Sequence, residues 1–249
     1  MPKDSASGWN VLQFPELEST SDYLLGKVDE LADRTVVRAV VQTRGRGRLG
    51  RTWLSDGDKS LTFSILHALP GSPQPNAAQG AALAIARLLR REGIRSSLKW
   101  PNDVLLGGRK IAGILAETRG NHLVIGIGIN LRQEAPFFQS IDQEAASIAG
   151  ATGLFLGPED TLQAFLAEWS PIWETLVSKG FAALFSEWAD YAKMEGTTWL
   201  LRRNPAAAPE PVAVLGLLPD GRLRIRPATG PDEDLPSGDL LEAPPARLP

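Results

Sequence analysis

IRSSLKWPNDVLLGGRKIAGILAETRGNHLVIGIGIN, from Ile94 to Asn130, is the stretch whose pattern sets the fold. Its apolar runs are short and broken at Pro101-Asn102-Asp103, Gly107-Gly108 and Gly120-Asn121, which are turn-forming residues, so the segment predicts an antiparallel meander. Working back toward the N-terminus, an Ala/Leu-rich stretch that Asn76 can cap runs to Gly93 and reads as a closely packing helix. Before it, Ser60 to Leu66 alternates, with Leu61, Phe63 and Ile65 on one face and Thr62 and Ser64 on the other, which predicts a half-buried strand. Val36 to Val41 reads as a buried strand. Ser19 and Thr20 precede Leu24, Val28 and Leu31 at helical spacing, and Ser19 with Asp22 fits a capping pattern, so a short helix begins there.

Beyond the meander, Leu162, Phe165, Leu166, Trp169, Trp173 and Leu176 recur at helical spacing, and Pro171 is expected to kink or divide that helix. These tryptophans read as core. A further helix covers about Phe181 to Lys193. From about residue 195 the runs Thr197 to Arg202, Val212 to Leu218 and Leu223 to Arg226, the last after an Asp220-Gly221 turn, predict a small all-β module. The expected organisation is therefore α+β: one sheet with helices packed against it over 1–194, and the β module over 195–249. Ala206 to Pro211 is of low complexity, and Ala243 to Pro249 reads as a frayed tail.

The 249-residue chain is 43% hydrophobic and 22% charged, the balance of a soluble globular protein. Its 26 Lys+Arg against 29 Asp+Glu give a net charge of -3, so any basic site must be local. The absence of cysteine excludes disulfides, thiolate metal sites and a thiol nucleophile, and fits a reducing compartment. His67 and His122 stand apart, and each reads as a residue without a metal partner. Nothing near the N-terminus resembles a signal peptide, and no run reaches the roughly 18 apolar residues of a membrane span. A cytoplasmic protein is expected.

Chemistry concentrates in three places. Gln42 to Arg51 holds four arginines and three glycines, with no acid from Arg34 to Ser55. Glycines let backbone amides approach an anion and guanidinium groups offer paired donors, so the loop suits phosphate or carboxylate; a solvated basic loop or a nucleic-acid contact fits the same residues. Lys99-Trp100-Pro101-Asn102-Asp103 ends a strand in a sharp turn, and Lys110 leads into a strand broken by Gly113. Gly126-Ile127-Gly128-Ile129-Asn130 leaves one strand face bare, to border a slot or allow a close sheet crossing. Neither a P-loop nor a Rossmann fingerprint is present.

Together these segments resemble the biotin protein ligases. Gly45-Arg46-Gly47-Arg48-Leu49-Gly50-Arg51 followed by Trp53 is similar to the family's adenylate loop. Lys99 to Asp103 is similar to its Lys-Trp-Pro-Asn-Asp signature, Lys110 with Gly113 to Glu117 to its Lys-x-x-Gly-Ile-Leu-x-Glu strand, and Gly126 to Asn130 to Gly-Ile-Gly-Ile-Asn. Ser237-Gly238-Asp239 resembles the Ser-Gly-Glu of the C-terminal module. The resemblance implies a mixed sheet flanked by helices, the class II synthetase-like fold shared with lipoate ligases, and a small C-terminal SH3-like β-barrel. It implies activation of biotin by ATP and Mg2+ to biotinyl-5'-adenylate, then acyl transfer to a lysine of a biotin carboxyl carrier protein.

By the same resemblance Lys110 and Arg48 are the catalytic pair, with Lys110 at the biotin carboxylate and the α-phosphate. Ser19, Thr20, Ser21, Gln42, Gly45, Arg46, Gly47 and Gly113 join them around biotin. Arg51, Trp53, Lys99, Asn102, Asp103 and Asn130, with Arg46, Arg48 and Lys110, form the ATP and adenylate set. No carboxylate cluster predicts a protein-only metal cage. Two departures stand out: Ser21 replaces the family's asparagine, and Leu240 to Ala243 supplies no arginine of the kind some relatives use toward the ATP phosphates, which implies either weaker ATP binding or a substitute such as Arg247 or another group. Only 18 residues precede Ser19, too few for a helix-turn-helix domain, so operator DNA is not expected as partner; nor is a membrane, since no apolar run is long enough to span one, and a homodimer is compatible. The competing readings are a lipoate or octanoate ligase of the same fold, a nucleic-acid module, and a biotin-binding regulator without catalysis.

Overall fold

A computed structural model describes residues 8–69, 71, 74–141, 143–204 and 206–242. The larger sheet contains β1 (Asn10–Leu17), β2 (Thr35–Gln42), β3 (Ser60–Ala68), β4 (Ser97–Lys99), β5 (Asp103–Leu106), β6 (Arg109–Arg119) and β7 (His122–Asn130), in the order β1-β2-β3-β7-β6-β5-β4. β1 and β2 are parallel and every other neighbouring pair is antiparallel, so the sheet is mixed. The meander expected over 94–130 is β4 to β7. Its β5–β6 turn places Gly107 at φ 55° and Gly108 at φ 79°, the left-handed pair that a two-residue hairpin requires.

Strand β1 is absent from the sequence reading. Pro15 lies inside it, and a proline within a strand is tolerated at a sheet edge, which is where β1 runs. β3 corrects a second expectation: all of Ser60 to His67 is buried rather than half-buried. The strand sits third of seven, with a helical layer behind Leu61, Phe63 and Ile65 and another environment over Thr62 and Ser64. The polar face is interior, so alternation here does not mean exposure.

The helices are α1 (Thr20–Gly26), α2 (Ala77–Arg91), α3 (Ile148–Thr152), α4 (Pro158–Lys179) and α5 (Phe185–Ala192). Ser19 caps α1 as expected, its hydroxyl accepting from the Asp22 amide at 3.2 Å. α2 and α4 cover one sheet face, where Val36, Phe63, Ile65, Ile125 and Ile127 join Phe165, Leu166 and Trp169 in the main core. The close approach of the two helices depends on Gly80, where a Cβ would stand 2.7 Å from Leu176 Cδ1. α1 covers part of the opposite face through Leu24, Val28, Val37, Leu66 and Val124. Further along β7 on that same face come Gly126, Gly128 and Asn130, which α1 leaves open.

Three local expectations are corrected. Asn76 does not cap α2 with its side chain; its amide donates instead to Gln79 Oε1 and to the Asp220 carbonyl at 3.0 Å. Pro171 does not divide α4, because the buried row Trp169, Ile172, Trp173 and Leu176 continues past the missing hydrogen bond. The helix expected over 181–193 is a 3-10 turn, Phe181–Ala183, followed by α5.

The tryptophans are core, as expected, and they enclose His67. Its Nε2 accepts from Trp169 Nε1 at 3.0 Å, its ring stacks on Trp173 at 3.9 Å, and Asp33 Oδ1 lies 3.3 Å from Nδ1. Burial holds the imidazole below its ordinary value of 6.5, against the pull of Asp33, while Arg34 adds to the depression. The unfolded chain therefore takes up a proton below about pH 6.5 that the folded chain refuses, and stability falls as pH falls through that window. Thermal unfolding at about pH 7.5 and about pH 5.5 should show a larger loss in the parent than in His67→Gln. Equal slopes would remove His67 as the cause.

The second sheet follows α5: β8 (Thr198–Arg202), β9 (Glu210–Leu217), β10 (Leu223–Pro227), β11 (Glu233–Leu235) and β12 (Asp239–Glu242), antiparallel in the order β11-β10-β9-β8-β12. The all-β expectation holds in this coarse form. β11 and β12 are edges that no described pairing joins, so a closed SH3-like barrel is not seen. Glu210 and Pro211, inside the low-complexity stretch, open β9, and Ala243 to Pro249 lies outside the described residues. Leu201, Val212, Val214, Leu223, Ile225, Leu235 and Leu240 join the same apolar cluster as Trp100, so the two sheets share a core. Among the described residues no helix is long and apolar enough to cross a membrane.

Candidate active site

The face of β7 left open by α1 is the floor of a cleft of ≈ 820 Å³. Of the residues that the resemblance assigns to biotin, ATP and catalysis, all but Gly45 line it: Ser19, Thr20, Ser21, Gln42, Arg46, Gly47, Arg48, Arg51, Trp53, Lys99, Asn102, Asp103, Lys110, Gly113 and Asn130 are at its walls, while Arg247 lies outside the described residues. Gly45 is buried within the loop, where a Cβ would stand 2.5 Å from the Trp53 carbonyl oxygen.

One end of the cleft is a cluster of neutral polar groups. Gln42 Oε1 accepts from the Thr20 amide at 2.8 Å and from its hydroxyl at 3.0 Å. Ser64 Oγ sits 2.7 Å from Thr20 Oγ1 and 3.0 Å from Ser21 Oγ. A side chain at Gly126, the cross-strand partner of Ser64, would overlap Ser21 Oγ, which is why that position is glycine. The middle of the floor is bare. Gly113 and Gly128 are register partners on β6 and β7, and the Trp53 indole lies on them so closely that a Cβ at Gly128 would overlap it. The indole N–H is buried there without an acceptor.

The other end is charged. Lys110 Nζ lies 2.7 Å from Asp103 Oδ1 and 5.9 Å from the centre of the Trp53 ring. Arg48 donates to Asn102 Oδ1 at 3.1 Å and to the Gly238 carbonyl at 3.2 Å, while Asn102 donates to the Ile114 carbonyl at 2.6 Å. Burial lowers the Arg48 pKa, with the charges of Asp103 and Asp239 opposing it. Arg51 reaches the second sheet through Asp239, at 3.3 Å from Oδ1. Lys99 is buried with its Nζ 5.3 Å from the centre of the Trp199 ring. Asn130 donates to the Ala146 carbonyl and accepts from Gln133, both at 3.1 Å, so its amide braces the wall.

Sequence reasoning missed several contributors. Ser64 was hidden by its strand's alternation; its register opposite Gly126 is visible only in the sheet. Glu117 and Asp22, both on Arg46, and Asp239, on Arg51, neutralise a loop that is acid-free in sequence. Arg44, whose partner is Glu18 at 3.0 Å, points out of the cleft to solvent.

Residues 14–132 match the Biotin/lipoate A/B protein ligase family. The chain is 31% identical to the biotin--[acetyl-CoA-carboxylase] ligase of Paracoccus denitrificans over 203 residues, which is 76% of this chain and 83% of that protein. It is 33% identical over 191 residues to the bifunctional ligase/repressor BirA of Escherichia coli, covering 73% of this chain but only 59% of that protein. The biotin protein ligase of Aquifex aeolicus, solved in complex with biotin and ATP, superposes with a TM-score of 0.81 at 28% identity, covering 94% of this chain and 99% of that one.

Proposed function

The chain belongs to the biotin/lipoate A/B protein ligase family, and from that premise we propose that it is an ATP-dependent biotin protein ligase acting on a biotin carboxyl carrier domain. The observation that carries this reading is the cleft itself, which holds a neutral hydroxyl and amide cluster, a glycine floor and a cationic end in one continuous slot. A ureido ring has two N–H donors and one carbonyl acceptor. Thr20, Ser21 and Gln42, braced by the buried Ser64 behind them, supply hydroxyl and amide groups able to match them, and the Trp53 indole lying over Gly113 and Gly128 offers the ring system an apolar wall.

The chemistry then follows from the charged end. A biotin carboxylate oxygen attacks the α-phosphorus of ATP, the bond from that phosphorus to the α,β-bridging oxygen breaks, and pyrophosphate leaves. Two anions must be brought together, so fixed cations matter more than a proton-transfer group. Lys110 and Arg48 face that junction, and Asp103 fixes the Lys110 ammonium in place. Mg2+ would arrive with ATP and spread its phosphate charge. In the second step the carrier lysine amine attacks the acyl carbon and AMP leaves. Arg51 and Asp239 place the second sheet against the loop; we assign 1–194 to the ligase module and 195–249 to an SH3-type module that closes this side of the cleft.

The test is pyrophosphate release from ATP and Mg2+ with biotin, lipoate or octanoate as the only variable, followed by labelling of a biotin carrier domain. Release with biotin and labelling of the carrier are expected. Release with lipoate or octanoate alone would reassign the substrate, and biotin binding without release would leave a sensor.

A further inference from the structure

Arg46 lies between two carboxylates. Its guanidinium makes a two-pronged bond to Glu117, at 2.9 Å and 2.7 Å, and its Nη2 is 2.8 Å from Asp22 Oδ1. Glu117 comes from β6, on the same face as Gly113, and Asp22 comes from the first turn of α1. The bond to Glu117 raises the Arg46 pKa further, so the group is a permanent cation matched by two anions and has no surplus charge for a third. Arg48 differs: its hydrogen bonds go to the neutral Asn102 side chain and Gly238 carbonyl, which leaves its charge for a ligand.

The loop that carries Arg46 is internally stiff. Arg46 bridges Thr52, the Gly47 amide donates to the Arg51 carbonyl at 2.7 Å, and the Trp53 amide donates to the Gly45 carbonyl at 2.9 Å. Fixing Arg46 therefore fixes Trp53 over Gly113 and Gly128. We infer that Glu117, with Asp22, is a positioning residue that straps the loop shut through Arg46, so that Arg46 retains the activated acyl group instead of carrying charge to the ATP phosphates. As a statement about adenylate retention this rests on the proposed ligase function; as a statement about the loop it does not.

The experiment compares the parent chain with Glu117→Gln, which keeps volume and removes the charge, with Glu117→Ala, and with each change combined with Arg46→Ala. In the ligand-free protein, trypsin cleavage at the Arg48-Leu49 bond should rise about tenfold in Glu117→Gln, because a charge-assisted pair is lost. Loss of pre-formed biotinyl-adenylate should rise by about the same factor, with the KM for ATP and the single-turnover rate of pyrophosphate release at saturating ATP within about twofold of the parent. Adding a Glu117 change to Arg46→Ala should alter neither cleavage nor adenylate loss further. Unchanged cleavage in both Glu117 variants would overturn the strap. So would Arg46→Ala raising the KM for ATP about tenfold without hastening adenylate loss, because that is the signature of a phosphate ligand. If the parent chain releases no pyrophosphate, the ligase reading fails while the cleavage comparison still decides whether the loop is strapped.

Discussion

Lys110→Ala is expected to lower the single-turnover rate of biotin-dependent pyrophosphate release by a factor of about 100 to 1000, the loss typical of removing one group aimed at charge that develops in the transition state. The fold should survive. Lys110 holds its place in the sheet by its backbone, the amide donating to the Glu144 carbonyl at 2.9 Å and the carbonyl accepting from the Ala146 amide at 3.0 Å, and neither bond needs the side chain. The pair of Lys110 with Asp103 is mostly buried, so the variant should lose some stability while keeping the fold that these backbone bonds and the sheet maintain. Removing the ammonium also leaves Asp103 facing the incoming carboxylate and triphosphate without a counter-charge, which adds repulsion to the lost attraction. Lys110→Arg should recover only part of the rate, since Cε of Lys110 already stands 3.0 Å from where a Cβ of Gly113 would be and a guanidinium needs more room. A Lys110→Ala rate within about twofold of the parent would remove the residue from the mechanism.

The sequence showed the cleft's glycines and cations because local rules govern them. A two-residue turn needs left-handed residues, and Gly107-Gly108 provide them; a bare strand face needs alternating glycines, and Gly126 and Gly128 provide those. What it hid were partners remote along the chain. The acids that neutralise the arginine loop lie 71 residues away at Glu117 and 188 residues away at Asp239, and no pattern in the loop points to either. Ser64 was misread for a related reason: an alternating strand has a polar face, and only the neighbours decide whether that face meets water or a ligand. β1 escaped because Pro15 argues against a strand until its place at the sheet edge is known.

Trp100→Ala is expected to lower the unfolding free energy by about 3–5 kcal/mol, as for other large buried aromatics cut to alanine. Read from sequence, Trp100 belongs to a motif for chemistry; in the fold it is also a joint. Its side chain is buried, its indole N–H donates to the Gly221 carbonyl at 3.0 Å, and its ring stands 3.4 Å from where a Cβ of Gly238 would be. Gln79 donates to the same Gly221 carbonyl at 2.9 Å, so α2 and the Lys99 to Asp103 turn grip the β9–β10 turn together. Trp100→Phe keeps most of the volume but leaves that carbonyl one donor short, and should cost nearer 1 kcal/mol. The alanine variant should also lose turnover while still folded, because Gly238 and Asp239, which hold Arg48 and Arg51, sit on the element that Trp100 supports. Urea unfolding with activity measured below the transition separates the two effects. A Trp100→Ala loss of only about 1 kcal/mol, or full turnover in the folded variant, would mean that the second sheet is held against the cleft by the Gln79 and Asn76 contacts instead.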